Sequence, residues 1–382
     1  MSKIWLSLAH MGGAEERFVH EAFETNWVVP LGPNVNGFEH DLETWLSQHS
    51  RNEVHVVALA SGTSAIHLAL VMLGISPGDE VICQSFTFAA SANPICYQGA
   101  TPIFVDSEPG TWNMDPELLE QAICDRLTKT GRLPKAIIPV HLYGVPARMN
   151  EILRIAHHYG IPVVEDAAEA MGSLYDGQYC GTMGTYGILS FNGNKMITTS
   201  GGGALICHTK EEADRVKFFA TQAREPFPWY QHEHIGYNYR LSNVSAGIGR
   251  GQMLVVDAHI ERRHTIHRMY AELLHGVPGI TVVEPTAPPP MQPNFWLTCI
   301  LVDPAVTGYT RDELAAKLLA ADIESRPLWK PMHLQPVFAQ ATSYTNGVSE
   351  QVFEYGLCIP SGPMVSDDDV HYIVNQIKEL RK

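Results

Sequence analysis

One lysine of the chain, Lys195, lies in a setting that suits chemistry more than solubility. It stands between a predicted strand and the glycine run Gly201–Gly203, among small and apolar residues. An amine that is removed from water has a lowered pKa and is a better nucleophile, as Schiff-base formation requires. We therefore predict that Lys195 is a covalent nucleophile.

A carboxylate, Asp166, follows the predicted strand Ile161–Glu165. Ligands of open α/β sheets bind outside the carboxyl ends of the strands, so an acid at this position could keep a ring nitrogen or a general acid protonated. The alternative interpretation is an ordinary aspartate that caps a helix after the strand.

A run of small residues joins the predicted strand Val54–Ala60 to a helix. Gly62 would allow the backbone to approach a ligand, and Thr63 and Ser64 would add hydroxyl groups. The start of a helix also offers free N–H groups and partial positive charge. The run is a candidate phosphate site, although a plain helix cap has the same composition.

Three other chemistries are disfavoured by their motifs. The run Gly201–Gly203 leads into a strand, whereas a dinucleotide fingerprint must open a helix. No G-x-S-x-G nucleophile elbow is present. Three histidine clusters lack the His-Glu-x-x-His spacing of a zinc site, namely His157-His158, His232-Glu233-His234 and His264 with His267. A nicotinamide enzyme, a serine hydrolase and a metal site are therefore not expected.

The elements that must position these residues alternate along the chain. Short β-branched runs alternate with helical stretches between about Val54 and Ile206, which is typical of βαβ units around a mostly parallel sheet. We predict a three-layer α/β fold. The predicted strands are Val54–Ala60, Glu80–Gln84, Thr101–Asp106, Ala136–His141, Ile161–Glu165, Ile188–Phe191 and Ala204–Cys207.

The rest of the chain has another pattern. A long helical stretch is predicted near Asn243–Leu274, and the proline-dense Pro285–Pro293 is typical of a linker or an exposed loop. The strand FWLTCILV and the helices DELAAKLLAADI and DDDVHYIVNQIKELRK then indicate a small α+β domain. The predicted division is residues 1–245 for a large α/β domain and 246–382 for the linking helix and the small domain.

Composition limits the class of protein. The chain has 382 residues, 45% of them apolar and 18% charged, which excludes disorder for most of its length. With 26 basic and 41 acidic residues its net charge is −15, so general nucleic-acid binding is not expected. Seven dispersed cysteines without a Cys-x-x-Cys pair, no signal-peptide-like start and no run long enough to span a membrane predict a cytoplasmic protein.

The order of the motifs is more specific than any one of them. A phosphate-type turn, then an Asp after a strand, then a Lys after a later strand match the fold type I enzymes that use pyridoxal phosphate. The chain resembles the DegT/DnrJ/EryC1/StrS family of sugar-nucleotide aminotransferases over nearly its whole length. The stretches that support this resemblance include SGTSAIHLAL, DEVICQSFTFAASANPI, VHLYGVPARM, VVEDAAEAMGS, SFNGNKMITTSGGGAL, GYNYRLSN and ESRPLWKPMH.

The resemblance implies pyridoxal 5'-phosphate as cofactor. Lys195 would bond to it covalently and then move a proton, and Asp166 would pair with the pyridine nitrogen and so favour its protonated form. Phe86 and Ala168 would lie on the two faces of the ring, and Glu169 near the ring hydroxyl. For Phe86 the alternative interpretation is a plain core residue.

The resemblance also implies a phosphate site and a second subunit. Gly62, Thr63, Ser64 and Ser190 would hold the phosphate together with Asn238 from the partner. A homodimer with shared active sites follows. Asn238 could instead be a simple turn residue.

The reaction implied by the resemblance moves an amino group from L-glutamate to a keto carbon of a nucleotide-linked sugar. The form SFNGNKMITTSGGG, with HMGG and NWVVPLGP, looks most like bacterial transaminases of N-acetylbacillosamine-type pathways, which act at C4 of UDP-2-acetamido-4-keto-2,6-dideoxy-hexoses. The candidates for sugar-nucleotide contacts, which could equally be surface charge and packing at a domain junction, are Arg326, Trp329, Lys330 and His333.

The sequence is also compatible with other functions. The acceptor could be a 3-keto sugar or a GDP- or dTDP-linked sugar. A pyridoxal phosphate-dependent sugar dehydratase on the same scaffold is a further alternative, but such relatives carry His at the Schiff-base position, where this chain has Lys195. A non-catalytic protein that keeps the fold is disfavoured because both Lys195 and Asp166 are present.

Overall fold

Apolar runs with alternating or helical spacing form the strands and helices of the protein. The computed structural model describes residues 3–286 and 290–380. The helices are α1 Glu15–Glu24, α2 Pro33–Leu46, α3 Gly62–Met72, α4 Asn93–Tyr97, α5 Pro116–Thr130, α6 Met149–Tyr159, α7 Lys210–Ala220, α8 Asn243–Met253, α9 Val256–Leu274, α10 Pro304–Thr307, α11 Arg311–Ala320, α12 Val348–Tyr355 and α13 Asp367–Glu379. The strands are β1 His55–Leu59, β2 Glu80–Gln84, β3 Thr101–Val105, β4 Ala136–Ile138, β5 Val164–Asp166, β6 Leu174–Tyr175, β7 Gln178–Tyr179, β8 Tyr186–Ser190, β9 Gly203–Cys207, β10 Ile280–Val282, β11 Met291–Gln292, β12 Thr298–Val302, β13 Arg326–Pro327, β14 Ser343–Tyr344 and β15 Gly356–Ile359.

The large sheet consists of two ladders that meet side by side. One ladder has the order β1-β9-β8-β5 and the other β4-β2-β3-β14. Parallel bridges from Ile137 to Val163 and from Val140 to Asp166 join β4 to β5. Strand β9 runs antiparallel to both β1 and β8, and the other pairs are parallel. The predicted α/β fold with a mostly parallel sheet is confirmed.

Helices cover both faces of this sheet, because its strands are apolar on both sides. In β1, Val57 and Leu59 pack with α3 and α7 on one face. Val56 and Ala58 of the same strand pack with α2 on the other. Helices α5 and α6 extend that second layer over β2, β3 and β4. The three layers place the carboxyl ends of β5 and β8 at one edge, next to the start of α3.

A second, antiparallel sheet has the order β10-β12-β15-β13. Its core contains apolar side chains from α9, α11 and α13. No helix within the described part of the chain is long and apolar enough to cross a membrane.

The prediction of one long helix near Asn243–Leu274 is wrong in its continuity. Helix α8 ends at Met253, and α9 begins at Val256. The break has a packing reason. Helix α8 packs on α1 and α2, with Ala246 in the core of the large sheet, whereas α9 buries Ile266 in the core of the second sheet.

The predicted linker Pro285–Pro293 falls partly outside the described residues, which omit 287–289. Within it, β11 pairs antiparallel with β6, Met291 opposite Tyr175. That part is therefore a short strand, which is possible because neither Met291 nor Gln292 is a proline and both can join a ladder.

Candidate active site

Lys195 lies in the turn that follows β8. Its backbone N–H donates to the carbonyl of Asn192 at 3.0 Å. Its Nζ lies 3.5 Å from Oε1 of Glu169 and 4.0 Å from the centre of the Trp296 ring, with 13% of the side chain exposed. The amine is thus largely shielded from water, as predicted, and it has a carboxylate and an aromatic face beside it.

Asp166 is the last residue of β5. Its Oδ2 accepts a hydrogen bond from Oγ of Ser91 at 2.6 Å, and its Oδ1 accepts from the backbone N–H of Ala168 at 3.1 Å. Turns and irregular backbone, and no helix, follow the strand at residues 167–173. The alternative interpretation of Asp166 as a helix cap is therefore wrong, and the carboxylate is held at the floor of a cavity.

Glu169 is buried beside Lys195. Its Oε2 accepts from the backbone N–H of Tyr143 at 2.7 Å. Burial raises the pKa of the Glu169 carboxyl, and the Lys195 ammonium opposes that effect. The pair can therefore hold and exchange a proton between an amine and a carboxyl.

The start of α3 supplies donors for an anion. Ser61 caps the helix by accepting from the N–H of Ser64 at 3.0 Å, and the two hydroxyls are 2.6 Å apart. The first N–H groups of a helix have no partner within it, so the amides of Gly62 and Thr63 are the ones left for a ligand. The hydroxyl of Ser64 is engaged in the cap and does not line the cavity.

Two glycines keep this turn close to the sheet. A Cβ on Gly62 would lie 3.2 Å from Cβ of Ser190, and a Cβ on Gly203 would lie 2.3 Å from the amide nitrogen of Gly62. A side chain at Gly203 would therefore separate α3 from β9. The absence of that side chain brings the helix start and the end of β8 to one place.

These elements enclose a cavity of about 240 Å³. The structure thus brings most of the predicted site together. The predicted residues that line the cavity are Gly62, Thr63, Asp166, Ala168, Glu169, Ser190, Lys195 and Trp329.

Phe86 does not line this cavity, although we expected it at a ring face. It is fully buried in an apolar cluster with Trp112 and Tyr143. Phe88 lines the cavity instead, 54% exposed and 5.3 Å from the ring of Trp329. The chain leaves β2 at Gln84 and turns, so the second aromatic residue of the SFTF motif reaches the opening.

A second cavity of about 370 Å³ adjoins the first. The two share Asn194, Trp296 and Trp329. Of the predicted substrate residues, Arg326 and Trp329 line it. Arg326 is 2.8 Å from Glu324 in the same wall.

His333 and Lys330 lie away from both cavities. The ring of His333 is bonded to Oγ of Ser85 at 2.6 Å and to Glu350 at 3.2 Å. A short helical turn after Pro331 directs His333 back onto the end of β2. Lys330 is exposed.

Asn238 is exposed and pairs with Thr221 in an isolated bridge. It does not line the cavity of its own chain. A contribution of Asn238 to the site of a second subunit therefore stays a prediction.

Several lining residues were not found from the sequence. Ser91 follows the predicted motif SFTF by only three positions, and Asn194 is adjacent to Lys195, so closeness to a motif could have indicated them. Trp296 lies 101 positions after Lys195, and no local signal marks it. The unpredicted lining residues include Ser61, Thr87, Phe88, Ser91, Asn192, Asn194, Gly202 and Trp296.

The loop of Lys195 is tied to distant parts of the chain through one carbonyl. The carbonyl oxygen of Asn194 accepts from Oγ of Ser7 at 3.0 Å and from Nε1 of Trp296 at 2.6 Å. The buried guanidinium of Arg263 donates to the same two residues, to the hydroxyl of Ser7 at 3.1 Å and to the backbone carbonyl of Trp296. The position of Lys195 thus depends on the N-terminal segment and on α9.

The donor set fits pyridoxal phosphate. An amine can bond to its aldehyde carbon, a carboxylate at the end of β5 can pair with its ring nitrogen, and free helix amides can hold its phosphate. With the mostly parallel sheet, these features define a fold type I pyridoxal phosphate-dependent enzyme.

The family follows from comparison with known proteins. Residues 10–378 match the model of the DegT/DnrJ/EryC1/StrS aminotransferase family. The chain belongs to this family and is a pyridoxal phosphate-dependent aminotransferase.

Relatives of known name agree with this assignment. EpsN of Bacillus subtilis (strain 168), described as a pyridoxal phosphate-dependent aminotransferase, is 45% identical over 99% of this chain and 96% of its own length. GDP-perosamine synthase of Escherichia coli O157:H7 is 36% identical over 96% of both chains. The crystal structure of a family member from Brucella abortus has a TM-score of 0.87 and 32% identity, and covers 96% of this chain and 95% of its own.

Proposed function

We propose that the protein transfers an amino group from L-glutamate to the C4 keto group of a nucleotide-linked 4-keto-6-deoxy sugar. The proposed acceptor is UDP-2-acetamido-2,6-dideoxy-hexos-4-ulose, and the product is the UDP-4-amino sugar. The observation that supports this most is the placement of Lys195. Its amine lies 3.5 Å from Glu169 in one cavity, and that cavity shares three lining residues with a second one of about 370 Å³.

Each residue has a defined task in this proposal. When bound, the cofactor stabilises negative charge on the carbon that loses a proton. Asp166 keeps the ring nitrogen protonated, and Ser91 holds the carboxylate in place for this task. The Lys195 amine removes the proton from one carbon and returns it to another, and Glu169 keeps that amine within the cavity.

Binding is divided between the two cavities. The amides of Gly62 and Thr63 and the hydroxyl of Ser190 hold the phosphate of the cofactor. The second cavity takes the sugar nucleotide, where Trp329 offers an aromatic face and Arg326 a guanidinium for a phosphate. In a homodimer, Asn238 of each subunit would complete the phosphate site of the other.

A GDP-linked sugar is the second candidate acceptor. Relatives named GDP-perosamine synthase support it, at 34% identity for Caulobacter vibrioides and 36% for Escherichia coli O157:H7. EpsN is more similar to this chain, but its name specifies no sugar.

The location of the protein is part of the proposal. All seven cysteines are free thiols, and the sulfurs of Cys299 and Cys358 lie only 3.8 Å apart. Thiols so close together persist in a reducing compartment. This supports a cytoplasmic protein.

The test of the function is turnover with a panel of acceptors. The holoenzyme is incubated with L-glutamate and with UDP-, dTDP- and GDP-linked 3-keto and 4-keto sugars, and the amine position of each product is determined by NMR. We expect the highest kcat/KM with the UDP-linked 4-keto sugar. Turnover of only GDP- or dTDP-linked sugars, or amination at C3, would contradict the proposed acceptor.

Lys195→Ala tests the chemistry. We expect the visible absorption of the covalently bound cofactor to disappear and turnover to fall by roughly a thousandfold or more. Lys210→Ala is the matched control, because Lys210 lies on the surface of α7 and pairs with Asp214. Transamination that persists in Lys195→Ala would overturn the proposed role of this lysine.

A further inference from the structure

Tyr143 has a backbone conformation that is rare for its side chain. Its φ is 54° and its ψ is 18°, in the left-handed region, and the residue is buried. A bulky residue adopts this conformation only where its surroundings require it. The sequence motif VHLYG contains Tyr143, but the function described above assigns it no task.

The backbone of Tyr143 contacts the catalytic region. Its N–H donates to Oε2 of Glu169 at 2.7 Å, and the other oxygen of that carboxylate faces Lys195. The next residue, Gly144, packs closely on Asn294. Its φ is +89°, and a Cβ at this position would overlap the side chain of Asn294. Asn294 in turn accepts from the N–H of Trp296 at 2.8 Å.

The ring of Tyr143 forms the centre of an aromatic wall. It lies between Trp296 and Trp329, with ring centres 6.4 Å and 6.0 Å away and planes tilted by 15° and 19°. Both tryptophans line both cavities, and Tyr143 lines the second. The wall therefore bounds the space where an acceptor would meet the cofactor.

The hydroxyl of Tyr143 fixes one end of this wall. It accepts from the backbone N–H of Trp329 at 2.8 Å. The indole Nε1 of Trp329 is buried and has no hydrogen-bond partner within the described part of the chain. This N–H therefore does not hold Trp329, whose place in the wall depends on its backbone bond to Tyr143 and on its ring contacts with Tyr143 and Phe88.

We propose that Tyr143 is a positioning residue that sets the affinity for the amino acceptor. Its hydroxyl holds the backbone of Trp329 and so keeps the Trp329 ring between the two cavities, where that ring would contact the sugar nucleotide. Its backbone separately holds Glu169. This inference rests on the proposed function, because it assumes that the second cavity takes the acceptor.

The test uses the variant Tyr143→Phe and measures its two half-reactions separately. This variant keeps the ring and the backbone N–H but loses the acceptor for Trp329. We expect the KM for the acceptor to rise about fivefold to tenfold, as for one lost hydrogen bond. The half-reaction with L-glutamate, followed by the change in the visible spectrum of the holoenzyme, should stay within about twofold of wild type.

Trp329→Phe is an independent probe of the same idea. It keeps an aromatic ring but shortens the face that bounds both cavities, so the acceptor KM should rise while the half-reaction with L-glutamate stays within about twofold of wild type. Tyr159→Phe is the control for loss of a phenol, because Tyr159 ends α6, away from both cavities, and its hydroxyl lies 3.2 Å from the sulfur of Cys124. Its two half-reactions should match those of wild type.

The possible failures are distinct. An unchanged acceptor KM in both Tyr143→Phe and Trp329→Phe would overturn the inference and leave the proposed function intact. Equal losses in both half-reactions of Tyr143→Phe would also overturn it, because they would indicate a general structural role. Failure of wild type to aminate any nucleotide sugar would reject the proposed function, and the inference with it.

Discussion

Asp166 depends on a hydroxyl group that comes from a different part of the chain. Ser91 donates to its Oδ2 at 2.6 Å, and Thr87 lies 2.8 Å from the Ser91 hydroxyl. We expect Ser91→Ala to lower kcat about tenfold, because one hydrogen bond to a charged group is lost and the carboxylate can turn away from the ring nitrogen. Steady-state kinetics of the holoenzyme measure this.

Two further variants give the comparison for Ser91→Ala: Asp166→Asn as the stronger change and Ser76→Ala as the control. Asp166→Asn removes the charge itself, so its kcat should fall further than that of Ser91→Ala. Ser76 makes a similar bond to Asp79 on the surface, at 2.9 Å, and its loss should not change kcat. A wild-type kcat in Ser91→Ala would contradict the role given to this serine.

At the residue scale, the sequence was informative where chemistry is local. Lys195 and Asp166 lie at the ends of predicted strands, so the architecture brings them together without detailed knowledge of turns. Phe86 and His333 were misplaced because short turns decide which way each side chain points. Trp296 has no local signal because it reaches the site from the segment between β11 and β12, far away in the sequence.

At the element scale, the contact between α3 and β9 determines the phosphate site. A Cβ on Gly203 would lie 2.3 Å from a backbone nitrogen, and backbone cannot move aside as a flexible side chain can. We therefore expect Gly203→Ala to destabilise the protein by about 1–3 kcal/mol. Because the start of α3 would move, affinity for pyridoxal phosphate should fall at least about tenfold.

Gly193→Ala is the matched control. Gly193 lies in the neighbouring turn, and a Cβ there would meet no atom within 4 Å. Urea unfolding and cofactor titration of the two variants give the comparison. Equal cofactor affinity in Gly203→Ala and Gly193→Ala would show that the helix start does not hold the phosphate.

The bounds of an element could be predicted where the hydrophobic pattern alone determines them. Strand β2 has the predicted bounds, Glu80–Gln84, because it is an isolated apolar run between turns. The α8–α9 break was missed because helical spacing continues across it. Only the packing of each half on a different core shows that the chain must bend there.

At the scale of the whole molecule, we propose a division that differs slightly from the one predicted at residues 245 and 246. Helix α8 packs on α1 and α2, and α9 packs on the second sheet. The natural boundary therefore lies between α8 and α9. Limited proteolysis near Leu254, which is 66% exposed, would locate it.

The net charge of −15 disfavours a long polyanion as a partner but is compatible with a small phosphate ligand. Part of the positive charge near the cofactor cavity is neutralised, since Arg240 pairs with Glu39. Backbone amides at the start of α3 can attract an anion without a net charge. The acidic surface and a phosphate site are thus compatible.

Stability of the whole molecule should fall in acid. Burial lowers the pKa of His267 to about 4, so the folded protein binds fewer protons than the unfolded chain between pH 4 and the ordinary pKa of about 6.5. The stability that buried, neutral His267 contributes is fully present above pH 6.5 and is lost as the pH falls towards 4. At this pKa His267 is neutral at pH 7, so its 3.7 Å approach to Glu284 is not an ion pair there.

Between pH 7.5 and pH 5, we expect the free energy of unfolding of wild type to fall by about 2 kcal/mol more than that of His267→Gln. Urea unfolding of the apo protein at the two pH values measures this. His20→Gln, at an exposed position of α1, should keep the wild-type pH dependence. The same slope in His267→Gln and wild type would reject this source of acid sensitivity.

The ties between the N-terminal segment and the site also bear on how the chain folds. Ser7 bonds to Asn194 and to Arg263, across 187 and 256 positions, and Leu6 bonds to Glu324 across 318. Contacts between residues this distant in sequence form late in folding, because a long loop must first close at a cost in conformational entropy. The segment of Leu6 and Ser7 therefore cannot reach its native contacts until Arg263 and Glu324 are in place, and catalytic competence should appear as one of the final events of folding.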